Sequence, residues 1–104
     1  MESSTKKIVF LIPAYNEEKN LEKVINDYSE YGEVIAIDDC STDNTRNIIS
    51  QNLKYFKFNE QNQGYNKTLE IGFGYILNNI EFDYLITIDG DGQHPVSNIK
   101  KIIN

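Results

Sequence analysis

Apolar and polar positions alternate along this chain in blocks, and the blocks change period in a regular order. Lys7–Ile12 is a short β-branched run that Pro13 is expected to stop, which makes a first strand. From Glu17 to Tyr31, Leu21, Val24, Ile25 and Tyr28 recur at helical spacing, with Asn16 placed to cap and Gly32 to terminate. Glu33–Asp38 reads as a second strand, followed by a polar turn over Asp39–Asp43. A helix through about Gln51 carries Ile48 and Ile49, and Lys54–Phe58 alternates as a half-covered third strand should. The polar stretch Asn59–Gly64 leads into a long helix with Leu69, Phe73, Ile76, Leu77 and Ile80 expected on one side. Tyr84–Ile88 is a fourth strand, and beyond Pro95 the residues Val96, Ile99, Ile102 and Ile103 begin another amphipathic helix.

The order βαβαβαβα predicts an α/β fold, a three-layer α/β/α arrangement around a mostly parallel sheet. Right-handed crossovers make 3-2-1-4 the natural strand order, with the first and fourth strands adjacent at the switch point. The loops after Ile12 and Ile88 are then neighbours at the end of the sheet where ligands bind. There is no internal repeat, low-complexity tract or linker, so residues 1–104 read as one domain.

Composition narrows the partners. With 39% hydrophobic and 25% charged residues the chain is ordinary globular material, large enough for a modest core. A formal charge of −6 argues against nucleic acid and against an anionic membrane surface. The single cysteine, Cys40, excludes an internal disulfide framework and suits a reducing compartment. No apolar run reaches the length of a membrane span and no signal-peptide pattern opens the chain, so a cytoplasmic location is expected. An amphipathic segment without a capping glycine ends the sequence, and the fourth strand is left at a sheet edge. Those two features predict a fragment of a longer protein, with an edge through which copies could associate.

Three strands end in loops rich in chemistry. Asp89 and Asp91, in the string DGDGQHP, stand at the mouth of the last strand, where two close carboxylates repel unless a cation lies between them. An oxygen-loving ion, Mg²⁺ or Mn²⁺, fits that pair. A calcium loop does not: counted from Asp89, the required glycine and glutamate positions hold His94 and Lys100. Gly72-Phe73-Gly74 is no dinucleotide fingerprint, and no phosphate-binding P-loop string occurs. Each loop also has a purely structural reading. Pro13 and Asn16 serve as stop and cap, Ser41 or Asp43 caps the next helix, and His94 beside Pro95 is read as structural. Capping gives no reason, however, for a second carboxylate directly after Asp38.

Together, Pro13-Ala14-Tyr15-Asn16-Glu17, Asp38-Asp39-Cys40-Ser41-Thr42-Asp43 and Asp89-Gly90-Asp91-Gly92-Gln93-His94-Pro95 resemble the nucleotide-binding half of family 2 glycosyltransferases with the GT-A fold. DGDGQHP is most similar to the branch that acts on polyprenyl (dolichol) phosphate. The resemblance runs from about Lys7 to the chain end. It implies that Pro13, Tyr15, Glu17, Asp39 and Asp89 line a nucleotide site, and that Asp89, Asp91 and Gln93 hold the metal. It further implies a nucleotide-diphosphate sugar as donor, a polyprenyl-phosphate acceptor, and work at the cytoplasmic face of a membrane in the full-length protein. The proton-accepting base is expected beyond residue 104. Asn62-Gln63-Gly64 resembles the family's Asn-x-Gly, although Tyr65, Asn66, Lys67 and Thr68 replace the small residues that usually follow. Cys40 stands where the family often has glycine. Two rival readings are a signalling receiver domain, whose acidic pair Asp38/Asp39 and Asp89 mimic, and a catalytically silent nucleotide-binding module.

Overall fold

The computed structural model describes residues 6–88. Its elements are β1 (Ile8–Ala14), α1 (Leu21–Ser29), β2 (Glu33–Asp38), α2 (Thr45–Asn52), β3 (Tyr55–Phe58), α3 (Tyr65–Asn79) and β4 (Tyr84–Thr87). The four strands form one parallel sheet in the order β3-β2-β1-β4, as expected from right-handed crossovers. The helix expected after Pro95 lies outside the described residues.

Alternation along the two central strands divides the core in two. Phe10, Ile12, Val34 and Ala36 face α1 and α2, where they meet Leu21, Val24, Ile25, Tyr28 and Ile49. Val9, Leu11, Ile35 and Ile37 face the other way and meet Ile76 and Ile80, from α3 and its C-cap. The α1 stripe of Leu21, Val24, Ile25 and Tyr28 is the one its spacing predicts, and Tyr28 stacks at a tilt on Phe10 with ring centroids 5.1 Å apart. Each such aliphatic or aromatic side chain contributes about 1.5–3 kcal/mol by leaving water. The sheet is therefore a covered central layer, with β3 and β4 at its flanks among the described residues.

Several expectations need correction. Pro13 does not stop β1, which runs to Ala14 and stays paired with β2 through Pro13–Ile37 and Ala14–Asp38. The reason is directional. The Leu11 carbonyl accepts from Ile88 and the Ala14 carbonyl from Asp39, so odd positions address β4 and even ones β2. Pro13, lacking an N–H, points to the β4 side, past the last β4 pair among the described residues, Leu11–Thr87, and costs no bond to β2.

Helix α1 begins at Leu21, not Glu17, and Asn16 does not cap it; Asn20 occupies that place. Asn16 has φ 52°, in the left-handed region that asparagine tolerates better than most residues. The α3 face is also rotated. Its buried line is Thr68, Gly72 and Ile76, flanked by partly buried Leu69, Ile71 and Tyr75, while Phe73 is exposed and Leu77 is 70% exposed. Gly72 explains the rotation. A Cβ there would lie 2.7 Å from Leu11 Cδ1, so the missing side chain lets the helix seat directly on β1 and turns its bulkier neighbours outward.

Two glycines give opposite expectations. A Cβ at Gly32 would lie 2.3 Å from the Ile8 carbonyl oxygen, a backbone atom, so Gly32→Ala is expected to destabilise by about 1–3 kcal/mol. Gly74, within α3, has open space around it, so Gly74→Ala is expected to stabilise by about 1 kcal/mol. Urea midpoints of the two variants, moving in opposite directions from the parent, check this.

Candidate functional site

Because all four strands run the same way, the loops leaving β1, β2 and β3 emerge at one end of the sheet. At that end the apolar alternation gives way to polar side chains. Every buried polar or charged residue among those described belongs to this end: Asp38, Asp39, Thr45, Asn59 and Thr68. Buried polar groups must find partners, and here they find one another.

Asp38 and Asp39 follow the period of β2 past its apolar part. Asp38 is fully buried on the α1–α2 side. Its Oδ2 accepts from Arg46 Nε at 2.8 Å and from the Ser41 N–H at 3.0 Å, while its Oδ1 has no hydrogen-bond partner among the described residues. Arg46 also donates through Nη2 to the Asn59 carbonyl at 2.7 Å and lies over the Phe58 ring, 4.9 Å from its centroid. One arginine thus joins α2 to the ends of β2 and β3. Arg46 is itself partly exposed, so removing it would leave the fully buried Asp38 carboxylate without its cation while water could reach the gap.

Asp39 turns to the α3 side and is only 5% exposed. Its Oδ1 accepts from Asn59 Nδ2 at 3.0 Å and from the Gln63 N–H at 2.7 Å; its Oδ2 accepts from the Gly64 N–H at 2.9 Å. Its backbone carbonyl takes the Asn62 side-chain amide at 3.2 Å. Gly64, with φ 89°, is the residue that opens α3. The second carboxylate therefore has a structural reason that a sequence search for local caps does not find: it caps the approach to a helix 25 residues downstream. Burial alone would raise its pKa, but hydrogen bonds from Asn59, Gln63, Gly64 and Thr68 outweigh it and hold the carboxyl below the usual range. Between Asp39 and Ser41, Cys40 adopts φ 65°, a left-handed conformation that a glycine would take without strain.

The first two loops are clasped by side chain to backbone bonds. The Asn16 N–H donates to Ser41 Oγ at 2.8 Å, and Asn16 Oδ1 accepts from the Thr42 N–H at 2.8 Å. The Glu17 N–H donates to Thr45 Oγ1 at 2.9 Å, and Glu18 Oε1 accepts from the Asn44 N–H at 2.8 Å. Asp43 closes the set. Burial pushes its pKa up, but the Thr45 hydroxyl and N–H and the Glu18 N–H outweigh that and lower it. Asp43 Oδ1 accepts from the Thr45 N–H at 2.9 Å just ahead of α2, but the cap position itself is held by Asn44, not by Ser41 or Asp43. Asn16, expected as a helix cap, is instead the hinge pin of this clasp.

The clasp leaves Tyr15 48% exposed beside half-buried Glu17, with Pro13 in the strand just before them. Pro13, Tyr15, Glu17 and Asp39 thus share one end of the sheet, and the Asp39 N–H donates to the Ala14 carbonyl at 2.8 Å. Ile88, the last described residue, is buried at this same end, its N–H bonded to Leu11 at 2.9 Å. Asp89, Asp91 and Gln93 lie outside the described residues. Among the described residues no group of three or more acidic, histidine or cysteine side chains could hold a metal, and no helix is long and apolar enough to cross a membrane. Arg46 and Asn59 were not singled out in the sequence. Asn59 carries a signal nonetheless, as the polar residue directly after the third strand, much as Asp38 is the polar residue closing the second.

The glycosyl transferase family 2 model matches residues 9–104. A protein of Methanocaldococcus jannaschii without an assigned function is 37% identical over 92% of this chain and 45% of its own length. The UDP-N-acetylglucosamine–dolichyl-phosphate N-acetylglucosaminyltransferase of Methanococcus voltae is 33% identical over 94% of this chain and 46% of its own length. Among solved structures, glucosyl-3-phosphoglycerate synthase of Mycobacterium tuberculosis, crystallised with Mn²⁺, UDP and glucosyl-3-phosphoglycerate, superposes with a TM-score of 0.64. It shares 26% identity over 82% of this chain and 33% of its own. The chain spans less than half the length of these relatives. The α/β sheet of order 3-2-1-4 is that of GT-A glycosyltransferases.

Asp39→Asn is expected to cost about 1–3 kcal/mol at neutral pH, since an amide group would turn an N–H toward donors. A carboxyl whose pKa is lowered by folding stabilises above its unfolded pKa, and that contribution fades as pH falls through the folded value. The stability gap between parent and variant should therefore be full near pH 7 and close below about pH 4. Urea unfolding over that range measures it; a gap independent of pH would contradict the assignment.

Proposed function

This chain belongs to glycosyl transferase family 2, and from that premise we propose that it forms the donor-binding half of an enzyme transferring a sugar from a nucleotide diphosphate. The observation that carries the reading is the buried Asp39 carboxylate, hydrogen-bonded by Asn59, Gln63 and Gly64 at the same end of the sheet as the exposed Tyr15. Tyr15 offers a flat face for a base, Glu17 accepts from ribose hydroxyls, and Pro13 shapes the wall beneath them. An ionised carboxylate only accepts hydrogen bonds, so Asp39 favours a base that presents a ring N–H. Uracil and guanine do; cytosine and adenine present a lone pair at the corresponding ring nitrogen.

Asp89, Asp91 and Gln93 would hold the divalent ion. Their oxygen-only donor set suits Mg²⁺ or Mn²⁺, and the Mycobacterium tuberculosis relative was crystallised with Mn²⁺ and UDP. When bound, such an ion supplies charge neutralisation at the departing diphosphate, roughly 8 kcal/mol of gross attraction at 4 Å and an effective dielectric near 20. The protein's own part is to orient the base and ribose so that the diphosphate reaches those carboxylates.

The acceptor we propose is a polyprenyl phosphate at the cytoplasmic face of a membrane. The name of the Methanococcus voltae relative, which acts on dolichyl phosphate, supports it. A phosphate acceptor is already ionised at neutral pH, so it attacks without a strong base to deprotonate it.

Thermal unfolding tests the donor site. UDP or GDP with Mn²⁺ should raise the melting temperature of the chain, by about 2.7 kcal/mol of added stability at a hundredfold excess over Kd. Asp91→Ala should abolish the rise. A native chain that melts at the same temperature with and without nucleotide would contradict the reading.

A further inference from the structure

We propose that the exposed flank of α3 is the seat of residues 96–104, and that docking there fixes the far end of the loop carrying Asp89 and Asp91; the second clause rests on the donor-site reading above. Helix α3 buries Thr68, Gly72 and Ile76 against the sheet. Thr68 Oγ1 accepts from Asn59, which directly follows β3, so its side of that line faces β3. Each further helical residue turns by about 100°, which carries Leu69, Phe73 and Leu77 to the opposite side, toward β4. This flank is apolar and poorly covered: Leu69 is partly buried, Phe73 exposed and Leu77 70% exposed. Next to it, β4 sends Leu85 into the α3 cluster, and Thr87, on the same face, is exposed. Among the described residues β4 pairs only with β1, so the trough has a wall and a floor but no second wall. The other face of β4 is less open, since Ile88 is buried and Ile86 partly buried against the α1–α2 cluster.

The chain itself supplies a filling of the right shape. Val96, Ile99 and Ile103 recur at helical spacing soon after β4, with Ser97 and Lys101 on the opposite side. The nine positions 96–104 match the nine from Leu69 to Leu77, about 13 Å of helix in each case. The seven residues 89–95 reach about 23 Å when extended, well beyond the roughly 10 Å between packed layers. Covering Phe73 and Leu77 takes apolar surface of both partners out of water, which is the driving force for the docking. A segment seated there holds one end of the 89–95 loop while β4 holds the other. Phe73 and Leu77 are then positioning residues for the proposed metal pair, acting through the segment they hold.

Methyl-resolved nuclear Overhauser spectroscopy of the full chain reads the docking. Cross-peaks are expected from the Phe73 ring and the Leu77 methyls to the methyls of Val96, Ile99 or Ile103. Their absence overturns the proposal. So do cross-peaks that arise only between differently labelled copies in a mixed sample, which would assign the flank to a dimer. Leu77→Asp should abolish the cross-peaks of Phe73 to the segment, and Ile99→Asp, on the other partner, should do the same. Titration with UDP, with and without Mn²⁺, reads the consequence. Mn²⁺ should strengthen UDP binding to the native chain, and either variant should cut that strengthening about tenfold, the loss typical when a metal site loses its outer support. Affinity for UDP without the ion should stay at the native value, which general unfolding would not allow. Cross-peaks in the native chain together with full strengthening in both variants would leave the seat standing and overturn its positioning role. A native chain that binds no UDP removes the donor-site reading, while the cross-peaks still decide the seat.

Discussion

Two adjacent carboxylates at the end of β2 hold the functional end of this molecule together. Strand geometry sends successive side chains to opposite faces. Asp38 therefore enters the layer of α1 and α2, and Asp39 the layer of α3. Each meets donors that its own layer supplies: Arg46 and the Ser41 N–H on one side, Asn59 and the N–H groups before α3 on the other. A single dipeptide thus ties both helical layers to the middle of the sheet. A shift of one residue in register would exchange the two acids and leave both buried without their partners.

The same constraint explains how loops with little regular backbone pairing keep a fixed shape. Their N–H groups are taken up by side chains of the neighbouring loop, as Asn16 does for Thr42 and Glu18 for Asn44. Order paid for within the folded chain need not be supplied by a ligand on binding, which is the general advantage of preorganisation. Polar residues here have two duties. Asp39 stabilises the start of α3 and, in the function proposed, also meets the base.

Much of the fold is legible in the sequence, because period and punctuation report directly on burial. The strand order followed from alternation and handedness, and the α1 stripe from the spacing of Leu21, Val24, Ile25 and Tyr28. What was hidden depended on partners far along the chain. Pro13 looked like a stop because its missing N–H could not be assigned to a side of the strand. Asn16 looked like a cap because its true partners, Thr42 and Asp43, lie more than 25 residues away. Hydrophobic spacing does not show the α3 face, because it weights large residues, whereas the closest seat on the sheet is made by Gly72. The candidate nucleotide residues are legible only through family likeness. The network under them, Arg46 and Asn59 above all, became visible only in three dimensions.

The central claim is that a nucleoside diphosphate binds where the loops after β1, β2 and β3 converge. A ¹⁵N-resolved NMR titration of the chain with UDP and Mg²⁺ tests it most directly, because amide shifts report the place as well as the fact of binding. The account predicts shifts concentrated at Tyr15, Glu17, Asp39, Cys40, Gln63 and Gly64. Shifts confined to the opposite end of the sheet, around Lys7, Gly32 and Asp83, would contradict it.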